Sequence, residues 1–381
     1  MGTVLEKSDG KRSRRKRARF DFVSPRHLRG VTVGAIIICM AYIAVLFGDF
    51  LVPYHYRLQV RSEPLAPATR IYTFDEAGNF RWRLFIRRTR LVDPLALRYT
   101  EESQTYYPVS FFVHGYPYKL FGLWETDRHL FGISEENRAQ QASTNPNNEQ
   151  GIAPRLHLLG TDRLGRDRFS RLIIAARFSL TVAPLAALLA ALLGTAVGGI
   201  AGYSGRAADA LLMRVADAVI SLPTLVLVLA LRATQPLEIP PLRAAMLLVV
   251  IFTALGWAEI ARLTRGLVLT LKTREFVTAA VSIGVKPTRI LVRHIMPNAA
   301  RPLVAHAVLM LPIFLLTETA LSYFGAGLQE PEPSWGNMLA AANDLNTLTR
   351  QPFLLLTPAL LIFIFVLGVR LVSDGIQSDE L

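Results

Sequence analysis

Four ionisable side chains lie in or near long apolar stretches of this 381-residue sequence: Asp217, Glu259, His306 and Glu318. An ionised group is costly inside a membrane, so such residues usually face a protein interior or a water-filled cavity. Asp217 and Glu259 fall near the ends of their stretches, where they can reach water. His306 and Glu318 share one stretch and are therefore candidates for lining a translocation path. Structural hydrogen bonding is the open alternative for both.

The segment from Gly160 to Asp167 imitates a phosphate-binding loop but lacks its chemistry. Arg166 and Asp167 stand where such a loop needs a lysine followed by serine or threonine. The sequence also lacks the HExxH and GxSxG patterns of zinc proteases and serine hydrolases. Its histidines show no ligand-like spacing, and Cys39 is its single cysteine. We therefore expect no catalytic residues, no metal site and no cofactor in this chain.

The charges of the chain are segregated from its apolar residues. Hydrophobic residues make up 51% of the sequence, yet the net charge is +13. The first 29 residues contain ten Lys or Arg, whereas residues 31–47 contain no charge. This segregation is typical of membrane proteins, whose charges concentrate at the ends of apolar spans. A nucleic-acid-binding tail would need a folded reader or aromatic residues nearby, so no nucleic-acid partner is expected.

Six stretches are long and apolar enough to cross the hydrocarbon, which takes about 20 residues. We therefore predict an all-α polytopic membrane protein with six transmembrane helices. In chain order the stretches are Val31–Val52, Phe178–Tyr203, Ala210–Leu231, Ala244–Ala261, Leu303–Phe324 and Phe353–Val369. The first is interpreted as an uncleaved anchor, because no small-x-small cleavage site follows it. The third and fourth are the weakest spans.

Alternate loops are rich in Lys and Arg, which predicts the orientation of the chain in the membrane. The basic tail of residues 1–30 would be cytoplasmic. The loop of residues 262–301 would be cytoplasmic too, because it holds eight basic residues and one acid. Loops 233–241 and 325–352 are poor in basic residues and would lie outside. Both termini, including residues 376–381, are therefore predicted to be cytoplasmic.

Residues 53–171, between the first two spans, are too polar to insert into a membrane. Residues 81–86 alternate and residues 108–113 are rich in β-formers, so we predict a small external domain that contains β-strands. Long translocated domains do not obey the positive-inside rule, so the arginines here are compatible with an external location. The other five spans would form a membrane core over residues 172–375.

Three glycines, Gly194, Gly198 and Gly202, recur at every fourth position of the second span. On a helix they share one face, and the missing side chains allow another helix to approach closely. We interpret them as helix-packing residues rather than transport residues.

The basic loop of residues 265–298 has the pattern of two short helices separated by a glycine. Residues 270–283 have helical composition, and Gly284 would end that helix. Pro287 suits the first turn of a second helix, which would end near Pro297. The first helix carries an apolar stripe of Phe276, Ala279, Ala280 and Ile283. Because a partner must cover this stripe, the loop is predicted to be a docking knob.

Residues 275–284 and 293–298 resemble the EAA loop of bacterial ABC-importer permeases. Similarity continues through Leu159–Asp162, Gly165–Asp167 and the entry to the second span. It includes Ala201–Tyr203 and also Leu321–Gly325 with Pro333–Gly336. In this order, the motifs are similar to those of the second permease of dipeptide, oligopeptide and nickel importers. The resemblance covers about residues 156–375 and the first span.

The resemblance implies a permease subunit of the bacterial inner membrane, surrounded by lipid. Its implied partners are a second homologous permease, two ATPase subunits and an extracytoplasmic solute-binding protein that delivers di- or oligopeptides. ATP and magnesium would bind to the ATPases, so this chain would not be an enzyme. The implied ATPase-docking residues are Glu275, Thr278, Ala279, Ala280, Gly284, His294, Pro297 and Asn298.

The sequence departs from the family pattern at Thr278, where the family usually has glutamate. Any ion pair that this carboxylate makes to the ATPase therefore cannot form here in the same way. Nickel or another small solute is the alternative cargo. A membrane-anchored scaffold or receptor and an ion channel are the alternatives from other classes.

Overall fold

The computed structural model describes residues 25–75, 79–133, 154–234, 236, 239–341 and 353–378. The predicted basic tail lies outside the described residues, except for residues 25–30, which belong to the first helix. Of the predicted C-terminal tail, residues 376–378 are described and continue the last helix.

The described residues form a bundle of helices and one β-sheet. The helices are α1 (Pro25–Leu46), α2 (Gly48–Leu51), α3 (Arg168–Tyr203), α4 (Arg206–Ile220), α5 (Thr224–Ala233), α6 (Pro241–Lys272), α7 (Glu275–Ser282), α8 (Pro287–Ile290), α9 (Met296–Tyr323), α10 (Trp335–Ala341) and α11 (Phe353–Ser378). A π-helical turn at Leu291–Ile295 joins α8 to α9. The strands are β1 (Ile71–Phe74), β2 (Phe80–Asp93), β3 (Arg98–Leu120) and β4 (Trp124–Ile133).

Five helical segments in the described part of the chain are long and apolar enough to cross a membrane. They are the end of α1, then α3, α6, the continuous run from α8 to α9, and α11. The third predicted span, Ala210–Leu231, is instead divided between α4 and α5, which meet at an angle of 77°. Pro223 lies at this break, where its ring disfavours helical backbone at the preceding residue. The chain is therefore a polytopic helical membrane protein with five or six spans.

The strands form an antiparallel meander in the order β1-β2-β3-β4, inserted between α2 and α3. The two predicted strand segments, residues 81–86 and 108–113, lie in β2 and β3, so the prediction of β-strands here is confirmed. A small core under the sheet buries Ile86, Tyr107, Ile133 and Leu156. The inserted segment thus has an apolar core separate from that of the helical bundle.

The bundle core lies among α3, α6, α9 and α11. Phe252 of α6 stacks on Phe314 of α9 with ring centroids 5.2 Å apart. A side chain added at Gly194 or Gly198 would collide with the carbonyl oxygen of Trp257 or Ala261, respectively, in α6. At Gly202, an added Cβ would lie 2.8 Å from Val268 Cβ. All three glycines therefore face α6, and this face allows α3 and α6 to approach closely.

The bundle has two ends that we name by their neighbours. At the sheet end, α1 finishes, α3 begins and the β-sheet is attached. At the loop end, α3 and α6 finish and α7 begins. The sequence predicted that the second helix of the basic loop ends near Pro297. This prediction is wrong, because the helical segment continues from Pro287 to Tyr323. The π-helical turn before Pro297 widens the helix, and the chain continues into α9.

Candidate functional site

At the loop end, a two-residue break separates α7 from the long helix α6. Thr273 keeps a helical conformation, whereas Arg274 is extended with φ −75° and ψ 147°. Glu275 then occupies the first turn of α7, where a carboxylate is favoured by the positive end of the helix dipole. The helical composition over residues 270–283 is therefore divided into the end of one helix and a separate short one.

Gly284 ends α7 with the backbone pattern of a Schellman motif. Its φ is +75°, a left-handed conformation that glycine adopts without steric cost. The N–H of Gly284 donates to Val281 O at 2.9 Å, and the N–H of Val285 donates to Ala280 O at 3.1 Å. Lys286 is then extended, and Pro287 occupies the first turn of α8. The local sequence thus sets the angle between the two helices.

The inner face of α7 is sealed by a small apolar cluster. Val277 is 1% exposed and Ala280 is 6% exposed. They pack with Val268 of α6 and with Ile290 and Ile295 of the run from α8 to α9. Therefore α7 contacts two membrane-spanning segments at once. Val277 was not among the predicted site residues. Its position three residues before Ala280 places the two side chains on one helix face.

The outer face of α7 is apolar and exposed. Ile283 is 80% exposed, Val281 56% and Phe276 42%. Ala279 is exposed as well, so the predicted stripe is divided: only Ala280 points into the protein. Basic residues flank this face at Arg274, Lys286, Arg289 and Arg293. An exposed apolar centre with a basic rim can bind a protein surface that carries acidic groups.

The other residues implied by the resemblance lie at the surface of the same segment. Thr278 is exposed, and its Oγ1 donates to the carbonyl of Glu275 at 2.9 Å. Pro297 and Asn298 are exposed, and Asn298 Nδ2 donates to His294 O at 2.6 Å. Threonine is uncharged, so Thr278 does not reproduce the charge of the family glutamate, and its hydroxyl is already hydrogen-bonded within α7.

Ion pairs connect the neighbouring helices at the loop end. Arg265 of α6 donates to both carboxylate oxygens of Asp209 in α4, at 2.5 and 2.7 Å. Arg262 Nη2 lies 2.5 Å from Asp217 Oδ1. Asp217 thus pairs with an arginine rather than lying unpaired inside the membrane, as expected for a residue near the end of its stretch.

The structure does not bring the two translocation-path candidates together. Glu318 is fully buried, and Ser322 Oγ donates to its Oε1 at 2.7 Å. His306 is partly exposed, with Nε2 3.9 Å from Glu259 Oε2 of α6. Glu318 therefore has the structural hydrogen bond of the alternative interpretation, whereas His306 and Glu259 face each other between two helices.

The sheet end contains a cluster of buried charges around His157. Its Nδ1 lies 2.8 Å from Asp167 Oδ1, and its Nε2 lies 3.0 Å from Glu63 Oε2. Burial by itself lowers the pKa of His157, but the hydrogen bonds to Asp167 and Glu63 outweigh it and raise this pKa to about 9. His157 is therefore an imidazolium held between two carboxylates at neutral pH.

Asp167 also caps α3, because its side chain accepts hydrogen bonds from the backbone N–H and the hydroxyl of Ser170. A side chain at Gly165 would collide with the carbonyl oxygen of Val60. The segment that imitates a phosphate-binding loop therefore clamps the chain after α2 to the start of α3. The sequence did not predict this clamp, because Glu63 lies 94 residues before His157 and still farther before Asp167.

A second set of ion pairs at this end involves Glu330, in the segment that follows α9. Arg166 Nη1 donates to Glu330 Oε2 at 2.6 Å, and Arg171 Nη2 donates to Glu330 Oε1 at 2.8 Å. Both arginines are buried, and Asp162 accepts a further bond of 2.6 Å from Arg166 Nε. These bonds join the start of α3 to the segment between α9 and α10.

Comparison with known proteins supports the resemblance seen in the sequence. The family model described as "Binding-protein-dependent transport system inner membrane component" matches residues 194–378, which include α6, α7 and α9. The oligopeptide transport system permease protein OppC of Bacillus subtilis (strain 168) is 36% identical over 242 residues, covering 64% of this chain and 77% of the relative.

Two dipeptide transport system permease proteins, both called DppC, are similarly close. The protein from Alkalihalophilus pseudofirmus is 35% identical over 237 residues, covering 62% of this chain and 75% of the relative. The protein from Bacillus subtilis (strain 168) is 37% identical over 233 residues, covering 60% and 70%. With these similarities and its apolar helices, this chain belongs to the family of inner-membrane components of binding-protein-dependent transport systems.

Proposed function

We propose that this chain is a transmembrane permease subunit of an ATP-driven importer, and that it translocates di- or oligopeptides delivered by an extracytoplasmic binding protein. The family description supports the dependence on a binding protein, and the names of the relatives support a peptide cargo. The observation that carries the proposal is the two-sided character of α7. One side packs against two spans, and the other side is apolar and exposed.

In this proposal the loop end is cytoplasmic and the sheet is external. The distribution of Lys and Arg supports this orientation, and it places both termini in the cytoplasm. The bent pair of α4 and α5 counts as the sixth span. Residues 53–171 are then the external domain, residues 172–375 the five-helix permease core, and residues 376–381 the cytoplasmic C-terminus.

The proposed assembly pairs this chain with a second homologous permease and two ATPase subunits. ATP and magnesium bind to the ATPases, and no covalent step occurs in this chain. The exposed face of α7, including Thr278 and Ala279, forms the contact with one ATPase. Glu275, Gly284, His294, Pro297 and Asn298 shape that contact, while Ala280 supports it from inside.

Movement of the ATPase reaches the membrane through the inner face of α7. Val277 and Ala280 press on Val268 of α6 and on Ile290 and Ile295. Because the segment from α8 to α9 is continuous, a push at α7 shifts a whole span rather than a loop. The two permeases then alternate between outward and inward access by rigid-body rocking. His306, which faces Glu259 between α6 and α9, and the buried Glu318 of α9 are the proposed candidates for the path.

The decisive experiment is ATP-dependent uptake of a labelled oligopeptide by the assembled importer in proteoliposomes. Ile283→Asp places a charge on the exposed apolar face and should reduce uptake at least tenfold, because it removes more than about 1.4 kcal/mol of contact with the ATPase. Ile283→Leu keeps the apolar surface and should retain uptake. Leu95→Asp makes the same kind of change at a 95% exposed position in the turn between β2 and β3 and is the matched control.

Full uptake by Ile283→Asp would contradict docking through this face. Uptake in the absence of the ATPase subunits would indicate a channel instead. If the importer took up nickel and an excess of peptide did not inhibit that uptake, the proposed peptide cargo would be wrong but the importer class would stand. If the assembly transported no solute at all, a scaffold or receptor would be the better interpretation.

A further inference from the structure

The turn between β3 and β4 exposes an unusual amount of apolar surface. We call residues 119–125 the hairpin tip. Within it, Leu123 is 76% exposed, Trp124 65% and Phe121 46%. Phe111 and Phe112 of β3 are also more than half exposed. A water-facing domain rarely shows a contiguous apolar patch of this kind unless the patch contacts a partner or a membrane.

The backbone at two of these phenylalanines has the left-handed conformation that bulky side chains disfavour. Phe121 has a φ of +53° in the tight turn closed by the bond from Leu123 N to Leu120 O, and Phe112 has a φ of +55° within β3. Turns of this kind usually place Asn, Asp or Gly at such positions. Contacts made by the two rings must therefore favour phenylalanine at these positions.

Both rings contact the segment that ends the first span. Phe121 packs edge-on against Phe47 with ring centroids 5.2 Å apart. Phe112 lies 6.1 Å from Phe50, measured between ring centroids. The hairpin tip thus lies where α1 passes into α2.

Phe47 and Phe50 continue the exposed stripe of α1. Ile36, Met40 and Ile43 are 56%, 61% and 42% exposed, and their spacing leads on the same helix face to Phe47 and Phe50. Phe47 itself leaves the helical conformation, with φ −96° and ψ 15°, but hydrogen bonds of helical spacing lie on both sides of it: Phe47 N donates to Ile43 O and Leu51 N donates to Phe47 O, both at 2.9 Å. The opposite face of α1, at Gly34, packs on α11. The stripe under the hairpin tip therefore lies on the outside of the described bundle, where lipid can contact it.

The contact between the hairpin tip and the end of α1 lies at the expected depth of the boundary between hydrocarbon and headgroups. Residues 29–46 of α1 span about 27 Å at the rise of an α-helix, close to the thickness of a bilayer core. Just beyond them, Asp49 Oδ2 pairs with Arg177 Nη2 at 2.7 Å. In the hairpin tip, Lys119 Nζ pairs with Glu125 Oε1 at 3.2 Å, beside the apolar residues. Aromatic rings next to charged pairs are typical of the membrane–water interface.

We propose that the hairpin tip inserts into the lipid interface of the leaflet on the sheet's side of the membrane. Leu123 and Trp124 lie among lipid headgroups and upper acyl chains, while Phe121 and Phe112 join the tip to α1. The sheet is thereby anchored beside the bundle on its lipid side. This inference depends on α1 as a membrane span and does not depend on the cargo or on the ATPase contact.

The test measures the depth of a spin label in the full chain, reconstituted in phosphatidylcholine vesicles with its co-purifying subunits. Cys39 is the single cysteine of this chain, so Cys39→Ser removes its only native thiol, and the same assembly without an introduced cysteine measures any label bound to the other subunits. A nitroxide at Leu123→Cys should collide several-fold more with oxygen, relative to a water-soluble nickel chelate, than one at Leu95→Cys. Leu95 is the matched control, because it is a 95% exposed leucine in the turn at the other end of β3.

A ratio at Leu123 equal to that at Leu95 would overturn the proposal, because the tip would then lie in water. If the nitroxide at Leu123→Cys collided rarely with both oxygen and the nickel chelate, the proposal would also be overturned, and a protein partner would cover this surface. Lipids brominated near the headgroup provide a second readout that needs no cysteine. They should quench the fluorescence of the unmodified chain more than that of Trp124→Phe; equal quenching would contradict insertion.

Discussion

At the loop end of the bundle, α7 is held by aliphatic side chains, whereas at the sheet end the joined segments are held by buried charges. The cluster of Val277, Ala280 and Val268 has no directional bonds. In contrast, His157 is fixed between Asp167 and Glu63 by bonds of 2.8 and 3.0 Å. Hydrogen bonds between charged groups require a defined geometry, and apolar contacts allow small sliding movements.

This difference separates two tasks within one chain. At the sheet end, the buried charges around His157 and Glu330 are paired within the chain, so they clamp the start of α3 to the segment after α2 and to the segment that contains Glu330. The loop end leaves the outer face of α7 unsatisfied, so its remaining apolar surface is available to a partner. Substitutions should therefore affect stability strongly at the sheet end and transport strongly at the loop end.

The largest loss of stability is expected for Asp167→Ala. This change removes the cap of α3 and leaves the charge of buried His157 with one carboxylate fewer. Losing one partner of a buried ion pair costs about 3–5 kcal/mol. The midpoint of thermal unfolding in detergent should fall clearly below that of the unmodified chain. Asp127→Ala breaks an exposed pair with His114 and should leave the unfolding midpoint almost unchanged. Equal losses in both variants would contradict the clamp.

The clamp should also weaken at alkaline pH. The folded-state pKa of His157 is raised to about 9 from an ordinary value of 6.5. The imidazolium therefore contributes stability fully below pH 6.5, and this contribution is lost as the pH rises through 9. At neutral pH and below, a shift of this size corresponds to a few kcal/mol. Unfolding midpoints measured from pH 6 to pH 10 should fall for the unmodified chain and change less for His157→Asn. Parallel curves would exclude His157 as the cause.

A smaller loss is expected where two helices touch. Gly198→Ala places a methyl group against the carbonyl oxygen of Ala261, which forces α3 and α6 apart. Such overpacking costs about 1–3 kcal/mol. Gly266→Ala is the matched control, because a Cβ added at Gly266 of α6 would have no neighbouring atom within 4 Å. The control should be neutral or slightly stabilising in the same unfolding assay. A stable Gly198→Ala chain would mean that the helices separate without cost.

The smallest change in stability should occur at the exposed outer face of α7. Ile283→Ser alters a side chain that is 80% exposed, so its unfolding free energy should stay within about 0.5 kcal/mol of the unmodified value. Val277→Ala removes methyl groups from the sealed inner face and should cost more, about 1–3 kcal/mol. Comparison of the two variants by thermal unfolding tests whether α7 is sealed on one side only. A large loss for Ile283→Ser would show that its outer face is already covered.

The amino-acid sequence by itself determined the features that depend on neighbouring residues. Apolar runs predicted the membrane helices, because each helix satisfies its own backbone hydrogen bonds. Gly284 and Pro287 predicted the end of α7 and the start of α8, since both act through local backbone conformation. The repeated glycines of the second span predicted a packing face, although not which helix would occupy it. The β-rich segments predicted strands in the inserted domain.

Only the tertiary structure decided what depends on residues far apart in the chain. It divided the stripe of α7, because the cluster around Val268 and Ile290 selects Val277 and Ala280 as the buried side. It carried the chain past Pro297 through a π-helical turn, whereas the break of the third predicted span at Pro223 follows from the local effect of the proline ring. It also brought Glu63, His157 and Asp167 together, which no local pattern reveals. The physical reason is that burial and ion pairing are set by which segments meet, whereas helix formation and its ends are set within a few residues.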